Sequence, residues 1–311
     1  MQGLVTKAVG NACRVWVALE GREYECRVKG NLRLKGIRTT NPVAVGDRVE
    51  FTPQGEEPYY IQRLLPRTNY IIRKSVNLSK EAHILAANID LALLVVTVAR
   101  PETSTVFIDR FLATAEAYSV PVVLLFNKSD DLSDQEMQWQ HFLIDLYRGI
   151  GYRCLPVSAL REEGLQDIPE LLKGKVTLLS GNSGVGKSTL INLLCPGVHQ
   201  RTEQVSVSFG TGVHTTAYSQ MFPAREGGFV IDTPGIKGFG TIEMDEHNTA
   251  HYFPEFFALS RECRFSNCTH LHEPGCAVLA ALEEGRISPL RYNSYLSILE
   301  DKQEGAYRTE P

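Results

Sequence analysis

Residues 181–189 read GNSGVGKST and match G-x-x-x-x-G-K-[ST], the pattern of a glycine-rich loop that cradles phosphate groups. The apolar segment KVTLLSG leads into the loop and STLINLL follows it, which is the strand–loop–helix context that the motif requires. Backbone N–H groups of such a loop converge on phosphate oxygens, Lys187 reaches the β- and γ-phosphates, and the Ser188 hydroxyl binds Mg²⁺. The predicted phosphate-binding residues are Gly181, Asn182, Ser183, Gly184, Val185, Gly186, Lys187, Ser188 and Thr189.

Apolar runs alternate with helical patterns on the N-terminal side of this loop. The runs are IDLALLVVTVA (89–99), PVVLLF (121–126), CLPVSA (154–159) and KVTLLSG (175–181), and the segments 105–118 and 136–150 have helical spacing. Strands that alternate with helices indicate an open parallel sheet covered on both faces. We expect an α/β domain over residues 72–242, in which AYSQMF and GGFVIDT form an antiparallel pair.

The polar tetrapeptide at 127–130, NKSD, directly follows one of these predicted strands. The Asp130 carboxylate can accept hydrogen bonds from N1–H and the 2-amino group of guanine, a donor pair that adenine lacks. Asn127 helps to hold this loop, and the stem of Lys128 packs on the base. Ser158 and Ala159 follow the next strand and bring backbone N–H groups towards the guanine oxygen. The tetrapeptide therefore favours GTP and disfavours the alternative of an ATP-dependent kinase.

The sequence DTPG at 232–235 follows the strand GGFVI. Asp232 there can hold Mg²⁺ through water, and the Gly235 N–H can bond the γ-phosphate. The preceding polar stretch contains the adjacent pair Thr215 and Thr216, and one of these two should bind Mg²⁺ and sense the γ-phosphate. We favour Thr216 and leave Thr215 open, so the predicted magnesium ligands are Ser188, Thr216 and Asp232.

The residue that positions the attacking water is less well defined. Many GTPases have a glutamine directly after DTPG, but this chain has Ile236, which cannot orient water. We therefore expect slow intrinsic hydrolysis that a partner accelerates. His214, beside the two threonines, is the candidate catalytic residue, and an exposed loop histidine without a catalytic role is the alternative.

These motifs occur in an unusual order along the chain. The base-reading NKSD (127–130) and the sequence SAL (158–160) come first, and the phosphate loop, the threonines and DTPG follow them. An ordinary GTPase begins with the phosphate loop and ends with the base-reading motifs. Because the cyclic order is unchanged, the sequence predicts a circularly permuted GTPase domain.

The regions before and after this domain have different sequence patterns. Residues 1–71 contain short alternating runs punctuated by Gly, Pro and Asn, which predict a β-barrel of about five strands, of the oligonucleotide-binding or the SH3-like type. Residues 21–40 carry six Lys/Arg against two Glu. This basic region is either a solvated face or an RNA-contacting surface, whose candidate residues are Tyr24, Arg27, Lys29, Arg33 and Lys35.

Residues 243–311 predict a small, mostly helical unit that contains a cysteine–histidine cluster. Cys263, Cys268, His270 and Cys276 offer three thiolates and one imidazole, which suit a tetrahedral, structural Zn²⁺. His272 is an alternative ligand, and buried cysteines without metal are the other interpretation.

Composition restricts the location and the partners. The chain of 311 residues has a net charge of −4, seven cysteines without a disulfide pattern, no signal-peptide pattern and no run of 18 apolar residues. We expect a cytoplasmic monomer that binds neither membranes nor DNA.

The barrel, the permuted motif order and the tail CRFSNCTHLHEPGCAV together resemble the bacterial ribosome small subunit-dependent GTPase A family. The resemblance implies an oligonucleotide-binding fold at the N-terminus and a zinc-binding C-terminal domain. It also implies a late role in assembling the 30S subunit, contacts to 16S rRNA, and GTP hydrolysis stimulated by that subunit. The alternative is a GTP-dependent switch that acts on a protein or metal-delivery partner unrelated to the ribosome.

Overall fold

The computed structural model describes residues 1–28, 42–74, 82–198, 219–232 and 246–303. The first five strands are β1 (Gln2–Val9), β2 (Ala12–Val17), β3 (Arg22–Val28), β4 (Arg48–Phe51) and β5 (Tyr59–Leu64). They pair in the order β1-β2-β3-β5-β4, and β4 returns to β1, so the sheet closes into a barrel. The β3–β5 pairing is parallel and the others are antiparallel. This cyclic order is that of an oligonucleotide-binding barrel, which decides between the two predicted barrel types.

Alternation of buried and exposed residues explains why these strands close around a core. Along β2 and β3 every second side chain is buried, including Val15, Val17, Tyr24 and Cys26. Cys13 lies directly opposite Cys26 in the β2–β3 register. Burial raises the pKa of each of these two thiols to about 12, so both remain protonated and serve as small core residues.

A hairpin that the sequence patterns do not predict follows the barrel. It consists of β6 (Tyr70–Lys74) and β7 (Ala82–Ala87), paired antiparallel. The hairpin is fixed to the barrel at Gly46, which has a φ of +90° and approaches so closely that an added Cβ would lie 2.0 Å from the Ala87 carbonyl oxygen. The Ala87 N–H donates to Val45 O at 2.9 Å, and Asn88 Nδ2 donates to Gly46 O at 2.9 Å.

The central domain contains a six-stranded, mostly parallel sheet. Its strands are β8 (Leu91–Val96), β9 (Val122–Phe126), β10 (Arg153–Pro156), β11 (Val176–Ser180), β12 (Gln220–Pro223) and β13 (Phe229–Asp232). They lie in the order β10-β9-β8-β11-β13-β12, and only β12 runs antiparallel. β12 also pairs with β1 of the barrel, at Lys7 and Gln220, so one eleven-stranded sheet runs through both units.

In the described part of this domain there are four α-helices, which are α1 (Thr105–Ala117), α2 (Asp134–Ile150), α3 (Ile168–Leu172) and α4 (Lys187–Leu194). Ser104 caps α1, and Ser133 with Glu136 forms a capping box at α2. Strands β8, β9 and β11 are fully buried, and separate hydrophobic clusters cover the two faces of the sheet. The predicted α/β architecture is confirmed.

The tail is helical and packs on α1. It contains α5 (Glu246–Thr249), α6 (Pro254–Ser260), α7 (Ala277–Glu283) and α8 (Pro289–Gln303). Its hydrophobic cluster includes Phe253, Phe256 and Tyr295, and it extends to Ala113 of α1. Within the described residues, no helix combines the length and the hydropathy that a bilayer crossing requires. The division of the chain into 1–71, 72–242 and 243–311 stays a prediction.

Candidate nucleotide and metal sites

Four of the predicted motifs lie at one edge of the central sheet. NKSD follows β9, SAL follows β10, the glycine-rich loop follows β11, and Asp232 ends β13. These four strands are parallel members of the same sheet, so their carboxyl ends share an edge. Open α/β sheets bind ligands at this edge. The fold therefore brings together motifs that are separated by more than 100 residues of sequence.

The glycine-rich loop has a backbone that only glycine accommodates. Gly181, Gly184 and Gly186 have φ values of +144°, +80° and +102°. A Cβ added to Gly181 would lie 2.3 Å from Val95 O, and one added to Gly186 would lie 2.2 Å from Asn127 Nδ2. The loop leads directly into α4, whose N-terminus is suited to bind an anion.

Lys187 is the first residue of α4, and its ammonium group folds back onto the loop. Lys187 Nζ donates to Gly181 O at 2.7 Å and to Asn182 O at 2.5 Å. Burial lowers the pKa of Lys187, and the negative charge of Asp232 partly opposes this change. The Lys187 ammonium group is therefore held at the centre of the loop, near the end of β13. Phosphates and Mg²⁺ would bind beside it there. Ser188 and Thr189 follow in the first turn of the helix.

Asn127 connects three of the loops. Its side chain is buried, with 2% of the residue exposed. Nδ2 donates to Val185 O of the glycine-rich loop at 2.7 Å, and Oδ1 accepts a hydrogen bond from the Ala159 N–H at 2.9 Å. The base-reading loop, the SAL loop and the phosphate loop are thus held together through one amide side chain. The sequence pattern predicted a holding role for Asn127 but not these partners.

Lys128 and Asp130 flank the predicted position of the base. Lys128 has a left-handed backbone, with φ of +63°, and burial lowers the pKa of its side chain. Its Nζ donates to Arg100 O at 2.6 Å. The Asp130 side chain is 8% exposed, and its Oδ2 lies 3.6 Å from Arg161 Nε. The sequence patterns identified neither arginine, because no recognised motif contains them.

The SAL loop is held by its own backbone. Ser158 is buried and exchanges backbone hydrogen bonds with Glu163, while its Oγ accepts from the Arg161 N–H at 3.0 Å. The Ser158 hydroxyl therefore shapes the turn, and Ala159, also buried, is held by Asn127. This geometry leaves a compact turn beside Asp130.

Several predicted residues lie outside the described residues. These are His214, Thr215, Thr216, Gly235 and Ile236. The predicted roles of these residues stay predictions, and of the three predicted magnesium ligands the structure describes Ser188 and Asp232.

The cysteine–histidine cluster of the tail is assembled in space. One ligand atom from each of Cys263, Cys268, His270 and Cys276 lies within 4.8 Å of the others. His270 Nδ1 lies 3.3 Å from Cys276 Sγ and 3.7 Å from Cys263 Sγ. Tetrahedral Zn²⁺ with ordinary bond lengths requires nitrogen–sulfur separations of roughly 3.6 Å, so this donor set fits such an ion. His272 is exposed and does not belong to the cluster.

A set of residues that the sequence patterns do not identify supports the cluster. The Glu273 carboxylate accepts hydrogen bonds from the N–H groups of Thr269, Leu271 and His272, at 2.6, 3.0 and 3.2 Å. Burial alone would raise the pKa of Glu273, but hydrogen bonds from the Thr269 hydroxyl and from backbone N–H groups outweigh it and lower the pKa to about 2. In addition, the hydroxyls of Tyr292 and Tyr295 on α8 donate to His270 O and Thr269 O at 2.8 and 2.6 Å.

The predicted RNA-contacting region is only partly described. Arg27 is exposed, whereas Tyr24 is buried in the barrel core, with 5% of the residue exposed, and is not available to RNA. Lys29, Arg33 and Lys35 lie outside the described residues. On the outer surface of the barrel, a cavity of about 410 Å³ is lined by residues that include Lys7, Arg14 and Arg27.

Comparison with known proteins gives consistent matches. The family model of the RsgA N-terminal domain matches residues 2–61, and that of the RsgA GTPase matches residues 64–242. A Small ribosomal subunit biogenesis GTPase RsgA of Bacteroides fragilis is 57% identical over 308 residues, which are 99% of each chain. The crystal structure of YjeQ from Thermotoga maritima superposes with a TM-score of 0.78 at 34% identity and covers 96% of this chain and 97% of the other. YloQ, a circularly permuted GTPase, gives a TM-score of 0.76 at 28% identity over 99% and 96% of the two chains.

Proposed function

The chain belongs to the RsgA GTPase family and is a GTP hydrolase, and from this premise we propose that it acts in late maturation of the 30S ribosomal subunit. The relatives that span the whole chain are named for biogenesis of the small ribosomal subunit, which supports this role. The observation that carries the nucleotide-binding part of the proposal is the side chain of Asn127, which joins the base-reading, SAL and phosphate loops at the ligand-binding edge of the sheet.

In the proposed nucleotide complex, the chain binds both the guanine base and the phosphates of GTP. Asp130 accepts hydrogen bonds from the guanine edge, the Lys128 stem lies along the base, and Ser158 and Ala159 form the turn beside it. The loop 181–189 surrounds the phosphates, and the Lys187 ammonium exchanges its two carbonyl partners for phosphate oxygens. Fixed donors that face developing charge stabilise the transition state without reorganisation.

The reaction itself is an in-line displacement at the γ-phosphorus. A water oxygen forms a bond to phosphorus, the bond to the β–γ bridging oxygen breaks, and the products are GDP and inorganic phosphate. Mg²⁺, when bound, offsets the negative charge of the phosphates, and we assign Ser188, Asp232 and Thr216 to hold it. The Gly235 N–H bonds the γ-phosphate, and His214 positions the water.

We assign the cysteine–histidine cluster to one structural Zn²⁺. Four protein ligands complete a tetrahedral shell and leave no position for a substrate. The barrel, with its exposed basic side chains, is assigned to contacts with 16S rRNA. Seven cysteines without a disulfide suit a cytoplasmic location. We expect the free protein to be a monomer, as the sequence analysis proposes.

GTP turnover measured with and without purified 30S subunits tests the ribosomal role. We expect slow hydrolysis by the free protein and a rate at least tenfold higher with 30S subunits. Purified 50S subunits serve as the control for unspecific stimulation, and Lys187→Ala serves as the control for contaminating GTPases. An equal rate with 30S subunits, with 50S subunits and without either would contradict the role and favour a switch that acts on another partner.

A further inference from the structure

A short loop between β8 and α1 lies against the base-reading loop, and it contributes Arg100. The Arg100 guanidinium makes a paired contact with Glu136, with Nη1–Oε1 and Nη2–Oε2 distances of 2.8 and 3.0 Å. Its Nε donates to Asp131 Oδ2 at 2.9 Å, and its Nη2 also donates to the Asp131 backbone oxygen. Asp131 directly follows Asp130, the predicted reader of guanine. The side chain of Arg100 therefore holds the C-terminal end of the base-reading loop.

The backbone of Arg100 holds the other end of the same loop. Lys128 Nζ donates to Arg100 O at 2.6 Å, and the backbone of Arg100 is left-handed, with φ of +49°. The next residue, Pro101, lies beside the phosphate loop, since a Cβ added to Gly184 would lie 3.4 Å from Pro101 Cδ. This single loop thus contacts the base-reading loop on both sides of Asp130 and lies next to the phosphate loop.

We propose that Arg100 is a positioning residue for guanine recognition, which sets the placement of Lys128 and Asp130 and thereby the discrimination between guanine and related bases. The inference rests on the proposed GTP site and adds a residue to it. Arg100 makes no contact with the base itself in this role. Its side chain acts through Asp131, which follows Asp130, and its backbone carbonyl acts through Lys128, so Arg100→Ala removes only the first of these two contacts.

Several properties of the contact suit such a role. The guanidinium presents a planar set of N–H donors that matches a carboxylate, so the contact fixes an orientation as well as a distance. Hydrogen bonds from Arg100 are the largest cause that lowers the pKa of Glu136, to about 2, so the pair stays charged at physiological pH. The Arg100 side chain is about half exposed and that of Asp131 about two-thirds exposed, and exposed ion pairs contribute little to global stability. Replacing Arg100 should therefore change nucleotide selectivity more than folding.

Binding of GDP and of inosine diphosphate to Arg100→Ala and to the unaltered protein tests the inference. Inosine lacks the 2-amino group, so the ratio of the two dissociation constants reports how well the Asp130 carboxylate is placed. We expect Arg100→Ala to weaken GDP binding about three- to tenfold and inosine diphosphate binding less, so that the ratio falls. Arg100→Lys should recover only part of the ratio, because an ammonium cannot make the paired contact.

Matched controls separate this inference from the nucleotide site as a whole. Arg153 of β10 forms an exposed ion pair with Asp167, at a distance of 2.9 Å. Arg153→Ala removes this ion pair and should leave both dissociation constants unchanged. Lys187→Ala should weaken the binding of GDP and of inosine diphosphate by a similar factor, because it removes a phosphate contact. Glu136→Gln removes the same ion pair from the other side, keeps a capping-box residue at α2, and should also lower the ratio.

Two outcomes separate the inference from the proposed site. If the unaltered protein does not prefer GDP over inosine diphosphate, the proposed guanine site fails. If the protein prefers GDP and Arg100→Ala and Glu136→Gln keep its ratio, the inference about Arg100 alone is overturned.

Discussion

At the scale of single residues, the buried side chain of Asn127 joins three loops of the nucleotide site. The NKSD pattern and its place after an apolar strand identify Asn127 as part of a loop that recognises a base. The pattern does not indicate that its amide bonds Val185 O and the Ala159 N–H, 58 and 32 residues away along the chain. Neither Arg100 nor Arg161 belongs to a recognised motif, and the fold brings Arg100 beside Lys128 and Asp131 and Arg161 beside Asp130.

Replacing Asn127 by alanine should be costly. Both of its hydrogen-bond partners belong to buried backbone, and each unsatisfied buried group costs about 1–3 kcal/mol. We expect Asn127→Ala to lower the free energy of unfolding by roughly 2–4 kcal/mol and to weaken GDP binding. Urea unfolding and nucleotide titration measure the two effects. Gln62→Ala, which removes an exposed amide, is the control, and an equal loss in both variants would contradict the role of Asn127.

Replacing Asp130 by asparagine should change the preferred base. The amide can donate a hydrogen bond to the 2-oxygen of xanthine, whereas the carboxylate accepts from the 2-amino group of guanine. We expect Asp130→Asn to lose at least tenfold in GDP affinity and to bind xanthosine diphosphate more tightly than the unaltered protein does. Competition between the two nucleotides measures the change. Unchanged selectivity would show that another residue reads the base.

At the scale of elements, the strands and helices follow from the patterns and the supporting contacts do not. Fully apolar runs predicted β8, β9 and β11, helical spacing predicted α1 and α2, and the sequence pattern of residues 243–311 predicted a mostly helical tail. The β6–β7 hairpin was not predicted, because neither of its strands is a fully apolar run and its position depends on the close approach of Gly46 to Ala87. In the segment that carries the cysteine–histidine cluster, the spacing indicated the four candidate ligands, whereas the supporting contacts of Glu273, Tyr292 and Tyr295 are visible only in the structure.

Removing the metal should loosen the tail while the central sheet stays folded. The tail has a small core, so metal binding contributes directly to its folding. We expect one zinc per chain by elemental analysis, and loss of the near-ultraviolet circular dichroism of the tail aromatics after chelation. Cys263→Ser should lose the zinc, and Cys195→Ser, a buried cysteine outside the cluster, should retain it. Full zinc content in Cys263→Ser would contradict the assignment.

The same loop gives a second expectation at this scale. Glu273→Gln replaces a carboxylate that accepts several N–H bonds by an amide with one acceptor oxygen. Hydrogen bonds to a charged acceptor contribute about 1.5–3 kcal/mol each, so we expect zinc affinity about tenfold lower than in the unaltered protein. Competition with a chromophoric chelator measures the affinity. Glu262→Gln, an exposed change before Cys263, should have no effect.

At the scale of the whole molecule, a buried ionic network joins the tail to the central domain. Arg291 of α8 is 1% exposed and lies 2.6 Å from Asp109 of α1 and 2.6 Å from Glu255 of α6. The Tyr147 hydroxyl of α2 donates to Asp109 at 2.9 Å. Burial raises the pKa of Asp109, and the charge of Arg291 opposes this effect. The network lies where α1, α2, α6 and α8 meet, and no sequence spacing predicts it.

Breaking this network from one side should destabilise the protein strongly. Arg291→Met leaves Asp109 buried without its cationic partner, and such changes cost about 3–5 kcal/mol. We expect a loss of this size in urea unfolding, and a partial recovery when Asp109→Asn is added, because the second change removes the uncompensated charge. Additive losses in the double variant would show that the two side chains are not coupled.

The pairing of β1 with β12 has a consequence for any attempt to divide this chain into separate pieces. A fragment that begins after the barrel would leave the backbone of β12 without a neighbour on one side. Exposed strand edges of this kind recruit other copies of the same molecule. We therefore expect such fragments to self-associate as the protein concentration rises in analytical ultracentrifugation. By pairing with β12, the N-terminal barrel also protects the GTPase domain from aggregation.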